Sequence, residues 1–121
     1  MKNLWKETIS VLKSNGKNWK DVLCVTGRNF KITKDNFERL ATRTEYDSGF
    51  GAQEIASDLM IIGEDWWLER FEYDGLEHWE FKQLPLRYLP LREVNSLCCG
   101  YNNEHIGWCT LAELNEIKED D

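Results

Sequence analysis

The chain has 121 residues, of which 41% are hydrophobic and six are tryptophan, and its formal net charge is −7. That size and apolar content suit one domain spanning 1–121 with a real core, and they exclude an intrinsically disordered chain. No apolar run approaches about 18 residues, so a membrane-spanning helix is excluded.

The start, Met1-Lys2-Asn3-Leu4-Trp5-Lys6, lacks the apolar stretch of a secretory signal. Asn3 is placed to cap a first helix, in which Trp5, Ile9 and Leu12 recur on one face. Asn15-Gly16 is its stop. A strand is expected over 21–26, a turn at Gly27-Arg28-Asn29, and a second short strand from Phe30 to Ile32. Thr33 reads as the cap of a helix over 34–43. Tyr46 to Gly51 is a loop, and Ala52 to Ser57 suggests one helical turn. The run Asp58-Leu59-Met60-Ile61-Ile62-Gly63 suits a strand buried on both faces.

Trp66 to Lys82 is a hairpin around Tyr73-Asp74-Gly75. A two-residue Asp74-Gly75 turn sets Glu72 against Glu77 and Glu69 against Glu80, and like charges directly opposite are unfavourable. A bulge at Gly75 instead gathers Trp67, Phe71, Trp79 and Phe81 on one face. Arg70, Glu72, His78, Glu80 and Lys82 then share the other. Separation of faces favours the bulged register. Beyond the hairpin, Pro85 and Pro90 confine 84–91 to an edge strand or an extended crossing. A short helix over 92–99, a loop from Tyr101 to Gly107, and a final helix opened by the capping box Thr110-Leu111-Ala112-Glu113 and running through Ile117 complete the chain. The fold class is α+β, a small mostly antiparallel sheet with strands at about 21–26, 58–63, 66–72 and 77–83 and helices packed on one face.

The run Asp58-Leu-Met-Ile-Ile-Gly63 and the segment Trp66-Trp-Leu-Glu-Arg-Phe-Glu-Tyr-Asp-Gly-Leu-Glu-His-Trp-Glu-Phe-Lys82, with Tyr46-Asp-Ser-Gly-Phe-Gly51, resemble a family of small phage and prophage proteins of Gram-positive bacteria. The likeness runs from about residue 30 to residue 85. His78 stands where that pattern carries a second tryptophan. The resemblance implies a phage accessory context and brings no chemistry and no functional residue with it.

Charge and side-chain chemistry frame the candidates. Residues 1–40 carry nine Lys/Arg against four Asp/Glu, whereas residues 41–121 carry six against eighteen. An acidic body repels phosphate, which disfavours nucleic acid as the ligand, although the basic first third keeps a local contact open. Glu64, Asp65, Glu69, Glu72, Asp74, Glu77 and Glu80 put seven acids in seventeen residues. That pattern suits either a solvated sheet face or an acidic surface that occupies a basic cleft. Trp66, Trp19 and Trp108 are candidate exposed anchors. Cys98, Cys99, His105 and Cys109 lie within twelve residues and offer soft donors for zinc, but their spacing departs from structural zinc motifs. Free buried cysteines in a reducing compartment are the simpler expectation, and they agree with a cytoplasmic location. His78 among carboxylates is a candidate acid or base. Gly49-Phe50-Gly51 lacks the lysine and hydroxyl of a phosphate loop, and Asp47 beside it is a single carboxylate. The expected function is a non-enzymatic phage accessory protein that binds a host protein through Trp66, Glu69, Glu72, Glu77 and Glu80. The alternative is a small metal-binding or catalytic domain built on Cys98, Cys99, His105 and Cys109.

Overall fold

A computed structural model describes residues 1–49, 51–85, 89–100 and 107–118. The chain divides into two compact units, residues 1–85 and 86–121.

The first unit is the α+β body. Its elements are β1 (Lys2–Asn3), α1 (Leu4–Ser14), a 3-10 turn (Trp19–Asp21), β2 (Cys24–Thr26), β3 (Lys31–Ile32), α2 (Lys34–Ala41), β4 (Glu45–Tyr46), β5 (Met60–Ile62), β6 (Trp66–Tyr73) and β7 (Leu76–Gln83). The five-stranded sheet has the order β3-β2-β5-β6-β7 and is antiparallel throughout. One row of side chains, Ile32, Val25, Ile61, Leu68 and Phe81, crosses all five strands. Its centre is fully buried. Leu12 of α1 and Phe37 and Ala41 of α2 belong to the same core. Each such large apolar side chain removed from water contributes about 1.5–3 kcal/mol.

Local signals set the helix ends. The Asn3 side chain accepts from the Lys6 amide, and Thr33 accepts from Asn36. The stop at Asn15-Gly16 is formed as expected, with Gly16 at φ +72°. Leu4, Thr8 and Leu12 form the buried stripe of α1, while Trp5 and Ile9 pack at its margin. Trp5, Trp19 and Phe37 make an aromatic cluster, so Trp19 is half-buried in the body. Lys34 Nζ secures it by donating to the carbonyls of Trp19 (2.8 Å) and Val22 (2.9 Å).

Several expectations are corrected. The segment 52–57 is not helical, because the Glu54 and Ile55 amides donate to the Glu77 carboxylate instead of to helix carbonyls. Tyr46 is not in a loop. Glu45–Tyr46 pairs with Lys2–Asn3 in a separate two-stranded ladder. β5 is buried at Ile61 and only half-buried at Met60 and Ile62.

The hairpin takes the unbulged register. Asp74 (φ +50°) and Gly75 (φ +88°) form the two-residue turn, and Glu72 faces Glu77 while Glu69 faces Glu80. Two left-handed residues match the twist of a tight hairpin. The inner face is therefore Trp66, Leu68, Arg70, Glu77, Trp79 and Phe81. The outer face is Trp67, Glu69, Phe71, Tyr73, Leu76, His78, Glu80 and Lys82. Gly63 is required beside this hairpin, since a Cβ there would lie 2.0 Å from the indole of Trp66.

The second unit has little regular structure among its described residues. α3 (Leu111–Leu114) is capped by the reciprocal Thr110–Glu113 box and stops short of Ile117. No helix forms over 92–99. Cys99 and Cys109 are joined by a disulfide, with Cα atoms 6.1 Å apart. The Asn115 amide ties the segment together, accepting from the Asn95 and Ser96 amides and donating to the Ser96 carbonyl.

Candidate interaction surface

The first four strand positions of β6 and the matching half of β7 lie over the core, but farther along the inner face becomes polar. There Arg70, Glu77, Glu7 and Tyr46 meet in a buried cluster. The Arg70 and Glu77 side chains are 0% and 1% exposed, and Glu7 is 5% exposed. Arg70 Nη2 donates to Glu77 Oε2 (2.8 Å) and to the Tyr46 hydroxyl (3.0 Å). Its Nη1 stands 3.6 Å from Glu7 Oε2. The guanidinium also lies over the rings of Trp79 and Tyr46, at 4.6 and 5.4 Å from their centroids. Nε and Nη1 have no hydrogen-bond acceptor, and these π faces add cation–π attraction to the charge of Glu7.

Glu7 is held from three sides. The Tyr46 hydroxyl donates to Oε1, the Trp79 amide donates to Oε2 at 2.9 Å, and Arg70 supplies the charge. Glu7 thus joins α1 to β7, and the Trp79 indole repeats that link by donating to the Thr8 hydroxyl at 2.8 Å. Burial, and next the hydrogen bond to Glu7, drives the Tyr46 pKa well above its usual value, so the phenol stays neutral. Burial works against the Arg70 charge, yet the hydrogen bonds to Tyr46 and Glu77 and the charge of Glu7 raise its pKa further. The members of this cluster are engaged with one another and with backbone amides. The arrangement clamps hairpin to helix and leaves no activated nucleophile.

The outer face of the hairpin differs. Phe71, Tyr73 and Leu76 are 41%, 70% and 57% exposed. Beside them lie Glu69 and Glu80, bridged by Lys82 at 3.9 and 2.8 Å. The hydrogen bond and charge of Glu80 raise the pKa of Lys82. His78 packs on Phe71 with ring centroids 5.0 Å apart, and its Nδ1 bonds the Trp79 carbonyl, so that nitrogen carries the proton. This is the setting of a packed sheet histidine and supplies no partner for acid–base work. An open groove of about 480 Å³ lies between the start of α1 and β7, with Lys2, Lys6, Ser10 and His78 on its walls.

The sequence-derived interaction set is divided by this geometry. Glu69 and Glu80 share the outer face. Glu72 is exposed on the opposite side and accepts from the Gly75 amide. Glu77 is buried at 2% exposure because Arg70 and two amides neutralise it. Trp66 is buried at 3%, stacked on Phe81, and is no exposed anchor. Trp108, in the second unit, is fully exposed. Glu7, Tyr46 and Arg70 were missed by sequence reasoning. The available signal was Glu7 on the apolar side of α1, three residues after Leu4.

The proposed zinc set is also divided. Cys99 and Cys109 are bonded to each other, which removes two thiolate donors, and Cys98 is a free exposed thiol. His105 lies outside the described residues. Among the described residues, no group of three or more His, Cys, Asp or Glu is arranged to hold a metal ion. Asp47 caps its own turn, accepting from the Gly49 amide, and Phe50 lies outside the described residues. No described helix is long and apolar enough to cross a membrane. No family model, curated protein or solved structure matches the chain.

Proposed function

We propose that this chain is a non-enzymatic interaction protein, of the phage accessory kind its resemblance implies, that binds a host protein in the cytoplasm through the outer face of β6–β7. The observation that carries this reading is the adjacency of Phe71, Tyr73 and Leu76, all exposed, to the carboxylates Glu69 and Glu80 on one rigid face. Exposed rings on a rigid sheet are suited to be anchors, and the acids select the partner's charge. The one cation on that face, Lys82, is already paired with those two acids. The fitting partner is thus a protein surface with a shallow apolar depression rimmed by lysine or arginine.

The test is capture from host lysate by the tagged chain, run beside the Glu69→Lys/Glu80→Lys variant. Stoichiometric retention of one host protein, lost on the double reversal while circular dichroism stays unchanged, supports the reading. Equal capture by both proteins removes this face from consideration.

A further inference from the structure

The three cysteines of the second unit serve no purpose in that reading. We propose that Cys98, Cys99 and Cys109 form a thiol–disulfide exchange site, with Cys98 as the entering thiol and low-molecular-weight thiols as its external reactants.

Access comes first. Cys98 is an exposed free thiol, and the disulfide beside it is only half-buried. No residue described between 89 and 118 is buried, so the described residues of this segment do not seal the sulfurs from solvent. Reach comes second. Adjacent Cα atoms are about 3.8 Å apart, and Cys99 already stands 6.1 Å from Cys109, within the span of a disulfide. Gly100 (φ +54°) and Gly107 (φ +66°), joined by the Gly107 amide donating to the Gly100 carbonyl, bring the two ends of the loop together. Exchange of one neighbouring side chain for the other requires the backbone to shift by no more than the spacing of adjacent Cα atoms, about 3.8 Å.

Chemistry selects the bond that forms. The Cys98 thiolate attacking Cys99 would join adjacent residues, whose side chains diverge and seldom bridge. Attack on Cys109 Sγ forms a 98–109 bond, breaks the 99–109 bond, and releases Cys99 as the thiolate, which takes up the proton that Cys98 lost. No electrons are gained or lost. An external thiol enters by the same route, first giving a mixed disulfide. A second thiol molecule then resolves it, so that two thiols leave as one external disulfide and the protein gains two thiols. Either event acts directly on Trp108, which is fully exposed, left-handed at φ +59°, and the neighbour of Cys109.

The test uses the full chain in a glutathione/glutathione disulfide buffer, quenched with acid, alkylated and mapped by tandem mass spectrometry. Two isomers, 99–109 and 98–109, are expected in the wild type. Cys98→Ser should give 99–109 alone, and Cys99→Ser should recover a 98–109 bond. The proposal is overturned if Cys99→Ser emerges with Cys98 and Cys109 both free in a buffer that oxidises Cys98→Ser, or if the wild type shows only the 99–109 isomer. The same map of the chain unfolded in urea separates a structured exchange site, whose isomer ratio differs there, from statistical pairing, whose ratio does not and which overturns the proposal.

Discussion

Replacing Arg70 with methionine isolates the energetics of the buried cluster. The substitution keeps most of the stem's volume and removes the only cation among two carboxylates and a phenol. Glu77 then retains the amides of Glu54 and Ile55, and Glu7 retains the Tyr46 hydroxyl and the Trp79 amide. Neither keeps a counter-charge. Breaking a buried pair in this way costs about 3–5 kcal/mol, because a charge is left uncompensated. With a urea m-value of about 2 kcal/mol/M, the unfolding midpoint should fall by roughly 1.5–2.5 M. Adding Glu7→Gln and Glu77→Gln to Arg70→Met should recover most of the loss, since neutral amides no longer need the cation. A midpoint change below about 0.5 M for Arg70→Met, or no recovery in the triple variant, would refute the assignment of the cluster as a charge-balanced clamp.

Two further tests address its neighbours. The raised Tyr46 pKa means that the neutral phenol contributes its full stability below the unfolded value near 10 and loses it as the pH climbs above that value. Tyr46→Phe should be less stable than wild type by about 1–2 kcal/mol at neutral pH, yet its urea midpoint should decline less steeply above pH 10; parallel curves for the two proteins would contradict this. Gly63→Ala sets a methyl group against the Trp66 indole and should cost about 1–3 kcal/mol or more, with a change in the near-ultraviolet circular dichroism of the buried ring; wild-type stability would show that Trp66 has room to move.

The elements that were legible in the sequence are those whose instructions are local. Asn3, Thr33 and the Thr110–Glu113 box each begin a helix where they stand, because a cap is a bond between near neighbours. The alternating hairpin and the apolar run before it revealed strands for the same reason. The β1–β4 ladder was not legible, since two-residue strands carry no period. The hairpin register was misread because the rule against opposed like charges treats each cross-strand pair alone. The structure satisfies both glutamate pairs from outside the pair: Arg70, diagonal to Glu77, neutralises the inner one, and Lys82 bridges the outer one. A slip of one residue then exchanged the faces of every side chain in β6, which is why Trp66 and Trp67 traded places.

That same register decides which carboxylates are exposed. If Glu77 had remained in solvent, the bulged pairing would have turned Arg70 outward and mixed a cation into the acidic face. By drawing Arg70 inward, Glu7 and Glu77 leave Lys82 as the lysine or arginine on the hairpin's outer side, already engaged by Glu69 and Glu80. The hydrogen bond from the Trp79 amide to Glu7 also occupies an outward-facing donor of the edge strand β7, and the Ser48 carbonyl occupies the one at Glu77. Two outward amide donors of that edge are thereby unavailable to another strand. On the proposed reading, recognition therefore falls to the side chains of the outer face and not to strand addition at these two positions. On that reading, Arg70→Met should leave partner capture unchanged at temperatures where the variant remains folded, because the β6–β7 ladder that aligns Phe71 with Glu69 and Glu80, and the bonds from Trp79 to Glu7 and Thr8, do not depend on Arg70; loss of capture by the folded variant would place the binding surface elsewhere.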